Sequence, residues 1–340
     1  MKRILSLVIL LALVASLAIP ASAAKQPEFM LALGDSITTG YGLDNYVGAG
    51  NEYDCVSYAN QVAEALGLVA KESYINKAVN GATSSDLVKL LPEIERYIGY
   101  ADLIVVTVGI YDLMEIVPVI ASILAGKSVT SLEGAINVFS AATLAQFAAL
   151  ENNTSYQTKI KNFITKYEKN LSDFAAYVKA LSPSARVIFL EQYNPVYNVS
   201  GFGDFGTYAD GLFATLNDSV KKICAENGFE TLDVPSVINE NAASLTNMLN
   251  YDVHLNADGH TQVARLLTTY LFSSFDEETE PVTEPVTEPE TTAAETLEET
   301  APATEEAPEA SGCASSISSA AIVALAVSAC FVLKKKSKEK

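Results

Sequence analysis

Five short apolar runs punctuate the chain, at Phe29–Leu33, Tyr74–Val79, Leu103–Val108, Arg186–Leu190 and Phe229–Leu232. Each is too short for a core helix and too apolar for a strand with one wet face, which predicts strands buried on both sides. Between them, apolar residues recur every three or four positions, the spacing of one face of a helix. The clearest case carries Ile160, Phe163, Ile164, Tyr167, Leu171, Phe174, Val178 and Leu181, and it stops before Pro183, which cannot continue a helix. A second such face is formed by Val263, Leu266, Leu267, Tyr270 and Leu271. Strands alternating with helices imply a parallel sheet covered on both faces. The stretch Leu113–Leu150 is apolar throughout and has two readings. It forms either two core helices or a lid or acyl-binding wall, the latter motivated by the loop it follows.

The first run ends in candidate chemistry. In Phe29-Met-Leu-Ala-Leu-Gly-Asp-Ser36-Ile-Thr-Thr-Gly-Tyr-Gly-Leu43 the apolar residues stop at Gly34, an acid and a serine follow, and the next residues can open a helix. A hydroxyl is thereby placed at the carboxyl end of a strand, where open α/β sheets bind ligands. A helix beginning there directs N–H groups toward a developing anion. Ser36 is therefore the candidate nucleophile. It needs a base, and the only histidines are His254 and His260, in Asn250-Tyr-Asp-Val-His-Leu-Asn-Ala-Asp-Gly-His260. No cluster of side chains has metal-ligand spacing, so neither a metal nor a cofactor is expected.

The string Ala-Leu-Gly-Asp-Ser-Ile-Thr-x-Gly-Tyr-Gly resembles the first block of the GDSL, or SGNH, esterase/lipase family. Asn76-Lys-Ala-Val-Asn80-Gly81 resembles the second block, Asp102-Leu-Ile-Val-Val-Thr-Val-Gly109-Ile-Tyr111-Asp112 the third, and the segment ending in His260 the last. With Gln192-Tyr-Asn-Pro195, the resemblance spans Phe29–Phe275. It implies a three-layer α/β/α sandwich with a parallel five-stranded, flavodoxin-like sheet. The implied activity is hydrolysis of carboxylic esters, with Ser36 as nucleophile, His254 as base and His260 as a structural residue at the opening of the last helix. It also implies oxyanion donors at the N–H groups of Ser36 and Gly81.

The sequence departs from the family pattern at two site positions. The acid that orients the base is expected three residues before it, where Tyr251 stands; Asp252 lies two residues before. Three arrangements stay open: Asp252 reaches round, a main-chain carbonyl near Asn250 holds the imidazole, or the base is poorly oriented. Tyr111 replaces the asparagine that supplies an amide to the oxyanion hole. It either donates from a rearranged site, plugs the site or contacts the substrate. Together these departures keep open a second function, a catalytically impaired module on the same fold that binds a surface glycan or ester ligand.

The ends of the chain read differently from its middle. Residues 1–24 have a Lys-Arg start, an apolar core and Ala21-Ser-Ala23-Ala24, the pattern of a secretory signal peptide. A domain at 25–275 follows. Residues 276–312 hold thirteen acids and no lysine or arginine, a composition that forms an extended spacer. Residues 313–333 are mostly apolar and about long enough to span a bilayer, and residues 334–340 hold five lysines, which predicts a cytoplasmic tail. The expected location is thus the extracellular face of the membrane, held by a single C-terminal helix.

Of the formal net charge of −19, residues 25–275 carry −12, from 27 acidic and 15 basic side chains. That surface disfavours nucleic acid and anionic headgroups and favours a neutral ester, a small molecule or an acylated glycan. Cys55 and Cys224 either pair after export or stay as separate buried thiols. Acyl chain length, alcohol moiety and oligomeric state are not specified by the sequence.

Overall fold

The computed structural model describes residues 26–48 and 52–276. The strands are β1 (Met30–Gly34), β2 (Tyr74–Asn76), β3 (Leu103–Thr107), β4 (Arg186–Leu190) and β5 (Glu230–Leu232). The main helices are α1 (Ser36–Thr39), α2 (Tyr58–Ala65), α3 (Ser84–Leu90), α4 (Glu95–Tyr100), α5 (Ile110–Ala125), α6 (Leu132–Ala141), α7 (Leu144–Leu150), α8 (Thr154–Leu181), α9 (Asp204–Asn227), α10 (Pro235–Ile238), α11 (Ala242–Leu245) and α12 (Ala257–Asp276). The strands form one parallel sheet in the order β2-β1-β3-β4-β5.

Side chains alternate across that sheet, and each face has its own core. Met30, Ala32, Leu103, Val105, Ile188 and Leu190 point to the layer formed by α2, α10 and α12. Leu31, Leu33, Ile104, Val106, Val187 and Phe189 point to α3, α4, α8 and α9. The result is the expected three-layer α/β/α sandwich. The β1 residues Met30–Leu33 are fully buried, and each of the large side chains Met30, Leu31 and Leu33 contributes about 2 kcal/mol relative to exposure.

The stretch Leu113–Leu150 departs from the expectation of two helices, since α5, α6 and α7 occupy it. Thr143 and Gln146 form a reciprocal capping box that starts a separate helix at Leu144 inside an apolar run. These helices enclose a third core with Val199, Phe202 and Phe213, in which Phe139 stacks on Phe205 with ring centroids 4.6 Å apart. Cys55 and Cys224 are both buried and free; Cys224, on α9, faces the core shared with α8, whereas Cys55 sits before α2. No helix among the described residues is long and apolar enough to cross a membrane. The segments 1–24, 277–312, 313–333 and 334–340 lie outside the described residues, and α12 runs to Asp276, one residue past the expected domain end.

Chain order reverses between β1 and β3: from β1 the chain crosses to β2 on one side and then to β3 on the other. A crevice opens at such a switch point beyond the carboxyl ends of the two strands. Ser36 follows β1 there, and Tyr111 follows β3.

Candidate active site

The approach to Ser36 is built by Gly34. Its φ of +129° is open to glycine, and a Cβ there would lie 1.9 Å from the carbonyl oxygen of Thr107 on β3. The absent side chain lets the Asp35 N–H donate to that carbonyl at 3.1 Å. Asp35 then caps α1, its Oδ1 accepting from the Ile37 N–H at 3.0 Å and from the Thr107 hydroxyl at 3.1 Å. Thr38 joins the same bracing at 2.6 Å from Thr107 and 2.7 Å from the Tyr58 hydroxyl. Ser36 is thus the first residue of a helix fixed to the neighbouring strand, and its own N–H has no acceptor within that helix.

Opposite it, the segment before α12 brings His254 to Ser36. His254 Nε2 lies 2.8 Å from Ser36 Oγ, both side chains being almost wholly buried. The other ring nitrogen, Nδ1, bonds Oδ1 of Asp252, and the same oxygen accepts from the His254 main-chain N–H at 3.1 Å. Of the three arrangements open in the sequence, Asp252 reaching round is the one observed. Tyr251 makes it possible: at φ 59° and ψ 28° it turns the chain through the left-handed region immediately before Asp252. Burial alone would raise the Asp252 carboxyl, but its bonds from His254 outweigh burial and hold it below the usual range.

Tyr111 stands in the first turn of α5, half-buried, with its hydroxyl 3.2 Å from Ser36 Oγ. The directions of the bonds follow from one another. With Nδ1–H donating to Asp252, Nε2 carries the lone pair, so the Ser36 hydroxyl donates to it. Ser36 Oγ then accepts from the Tyr111 hydroxyl. Gly81 (φ +76°) lies beside the same ring: a Cβ on it would be 3.8 Å from Tyr111 Cε1. Its N–H donates to no backbone carbonyl among the described residues. The preceding Asn80 is held from two sides, accepting from Thr39 Oγ1 at 2.6 Å and donating to the Tyr46 hydroxyl at 2.6 Å.

Ser36, His254, Asp252, Gly81 and Tyr111 therefore converge at the switch point, while His260 does not. His260 lies in the first turn of α12, fully buried, where its Nδ1 accepts from the Tyr58 N–H at 3.1 Å. Burial, aided by the charge of His254, takes its imidazole down to about 3, so it stays neutral.

Sequence reading assigned no role to Tyr41, whose ring lies 5.0 Å from the His254 imidazole and edge-on to Tyr46. Its place in Gly40-Tyr-Gly, directly after α1, was the available signal. It likewise passed over Asp112, whose oxygens accept from the Ser84 N–H at 2.7 Å and the Ser84 hydroxyl at 2.6 Å. Burial pushes both Asp112 and Asp35 up to about 6.

Residues 32–262 match the model of the GDSL-like lipase/acylhydrolase family. The chain belongs to that family. No curated protein matches it. Among solved structures, this GDSL-like chain is similar to phospholipase A1 from Streptomyces albidoflavus NA297, at 20% identity and TM-score 0.48, covering 71% of this chain and 98% of that one. It is similar to an extracellular lipase from Streptomyces rimosus at 17% identity and TM-score 0.47, covering 71% and 98%. An acetylxylan esterase from Geobacillus stearothermophilus is similar at 19% identity and TM-score 0.46, covering 72% and 94%.

Proposed function

We propose that this GDSL-like protein is a serine esterase that hydrolyses carboxylic esters of acyl or acetyl groups. The observation that carries the reading is the 2.8 Å contact between Ser36 Oγ and His254 Nε2, with Nδ1 of the same ring on Asp252. Nucleophile, base and orienting acid follow one another within hydrogen-bond reach, the requirement for activating a serine.

In the proposed reaction, Ser36 Oγ attacks the acyl carbon as His254 Nε2 takes its proton. The carbonyl π pair moves onto oxygen, and the oxyanion is held by the N–H groups of Ser36 and Gly81 and by the Tyr111 hydroxyl. The phenol already points at Ser36 Oγ, so it reaches the new oxyanion by a small rotation. Collapse of the intermediate expels the alkoxide, which leaves as the alcohol with the proton from His254. Water, deprotonated by the same histidine, then attacks the acyl-enzyme and releases the acid and Ser36. The acidic surface of 25–275 supports a neutral ester, of a small molecule or a glycan, over an anionic one. We further place the domain outside the cell, on the spacer 276–312 and the apolar segment 313–333, a reading supported by composition.

The contact between Tyr111 and Ser36 favours one rival, a binding module in which the phenol occupies the place of the substrate carbonyl. Treatment with a fluorophosphonate followed by mass spectrometry of peptides separates the two. The esterase reading requires a phosphonyl adduct on Ser36 that is absent in His254→Ala; an unmodified Ser36 in the parent supports the binding module.

A further inference from the structure

We infer that α8, which carries no residue of the motifs above, sets the spacing of the oxyanion hole through Tyr167 and Asn170. The inference rests on the esterase reading. The two residues are three positions apart, so they lie on one face of the helix. Each bonds one of the two segments that carry the proposed donors. The fully buried Tyr167 hydroxyl donates to the carbonyl of Val108, three residues before Tyr111, at 2.8 Å. Asn170 Nδ2 donates to Ser84 Oγ, three residues after Gly81, at 2.8 Å.

The two segments are also joined to each other. Ser84 donates a hydrogen bond from its hydroxyl to Oδ1 of Asp112 at 2.6 Å and another from its N–H to Oδ2 at 2.7 Å, and Asp112 is the neighbour of Tyr111. Each group here has a compatible partner: the Ser84 hydroxyl accepts from Asn170 and donates to Asp112, and the carboxylate accepts twice. The Tyr167 bond needs the missing side chain of Gly109, where a Cβ would lie 2.8 Å from the phenol oxygen. The pattern is a closed frame: α8 holds the Val108 end and the Ser84 end, and Asp112 closes the third side. Oxyanion donors act only when they converge on one point, so a frame that fixes the distance between two loops controls transition-state binding more than substrate binding. Neither Tyr167 nor Asn170 touches the reacting atoms; both are positioning residues.

The test uses the full-length chain and the variants Tyr167→Phe, Asn170→Leu and Ser84→Ala, with Ser172→Ala, an exposed position of the same helix, as control. Steady-state hydrolysis of p-nitrophenyl acetate gives kcat and KM, and inhibition by an alkylboronic acid, which forms a tetrahedral adduct with a nucleophilic serine, reports transition-state affinity. Each framing variant is expected to lose about 10- to 100-fold in kcat with KM within about twofold, and to weaken the boronate in proportion. Ser172→Ala is expected to match the parent. If Tyr167→Phe does not fold, Asn170→Leu and Ser84→Ala carry the comparison. A kcat within twofold of the parent in those two folded variants, alongside an inactive Ser36→Ala, would overturn the role of α8 while leaving the esterase reading intact. So would an equal loss of kcat in the Ser172→Ala control. Turnover that survives in Ser36→Ala would overturn the esterase reading itself, and the role of α8 with it.

Discussion

Asp252 and His254 are bonded twice, once through the imidazole Nδ1 and once through the His254 main-chain N–H, though only one residue separates them. A carboxylate two positions from its histidine has to curl back on the chain, and the left-handed Tyr251 supplies the turn. A non-glycine residue there costs about 1–2 kcal/mol, offset in part by packing of the Tyr251 ring 6.0 Å from that of Phe202. Replacing Asp252 by Asn keeps the shape but removes the charge that fixes the tautomer. The expected result is a kcat lowered by about 10²- to 10⁴-fold with the fold intact. A kcat within threefold of the parent would mean that Asp252 does not orient the base.

Tyr111 offers a second prediction. Tyr111→Phe leaves the ring in the third core and removes only the hydroxyl, so melting should hardly change. If the hydroxyl is an oxyanion donor, kcat falls by about 10²-fold. Tyr111→Asn, which restores a short amide, should retain more activity than Tyr111→Phe. A Phe variant faster than the parent would identify the hydroxyl as an obstruction to attack.

The two glycines of the site should respond to the same substitution to very different extents. Alanine at Gly34 has nowhere to go, since its Cβ would overlap the Thr107 carbonyl, and the sheet would have to open between β1 and β3. We expect Gly34→Ala to be insoluble or to unfold at a greatly reduced denaturant concentration. Gly81→Ala meets only the edge of Tyr111 at 3.8 Å, so the expected loss is the left-handed strain alone, about 1–2 kcal/mol. Urea titrations of the two variants measure the difference.

How much of this was legible in sequence follows from the range of each interaction. The strand Arg186–Leu190 coincides with its predicted run, because its buried part, Val187–Leu190, is continuously apolar, as a parallel strand covered on both faces requires. Ser36 could be named because a serine follows a strand, and two histidines in one segment narrowed the base to that segment, but choosing His254 over His260 took the resemblance to the family's last block. The reach of Asp252 could not be read, since it depends on one backbone angle at Tyr251. Nor could the direction of the Tyr111 hydroxyl, which is set by how α5 leaves β3. The helix boundary at Thr143 was hidden because a capping box is a local polar signal inside an apolar stretch. Tyr167 and Asn170 were invisible as functional residues: Tyr167 fits the apolar face of its helix, and the partner of Asn170 is 86 positions away.

Stability should depend on pH with a sign that can be assigned residue by residue. His260 titrates near 6.5 when unfolded and near 3 when folded, so below pH 6.5 the unfolded chain takes up a proton that the folded one refuses. Its contribution is therefore lost as pH falls from 6.5 toward 3. Asp112 acts in the opposite sense. Burial raises it from 3.8 to about 6, so the folded state keeps a proton that the unfolded one has given up, and its contribution falls as pH rises through that window. Between pH 4 and 6 the two oppose each other. Denaturation midpoints should fall less on acidification in His260→Gln than in the parent, and more in Asp112→Asn. Parallel curves for all three proteins would show that neither group titrates as its burial requires.

The most direct measurement is hydrolysis of p-nitrophenyl acetate by the purified protein, with Ser36→Ala and His254→Ala assayed beside it. Turnover by the parent that disappears in both variants, with unchanged melting, is the predicted result. Equal hydrolysis by parent and Ser36→Ala would contradict a serine mechanism at this site.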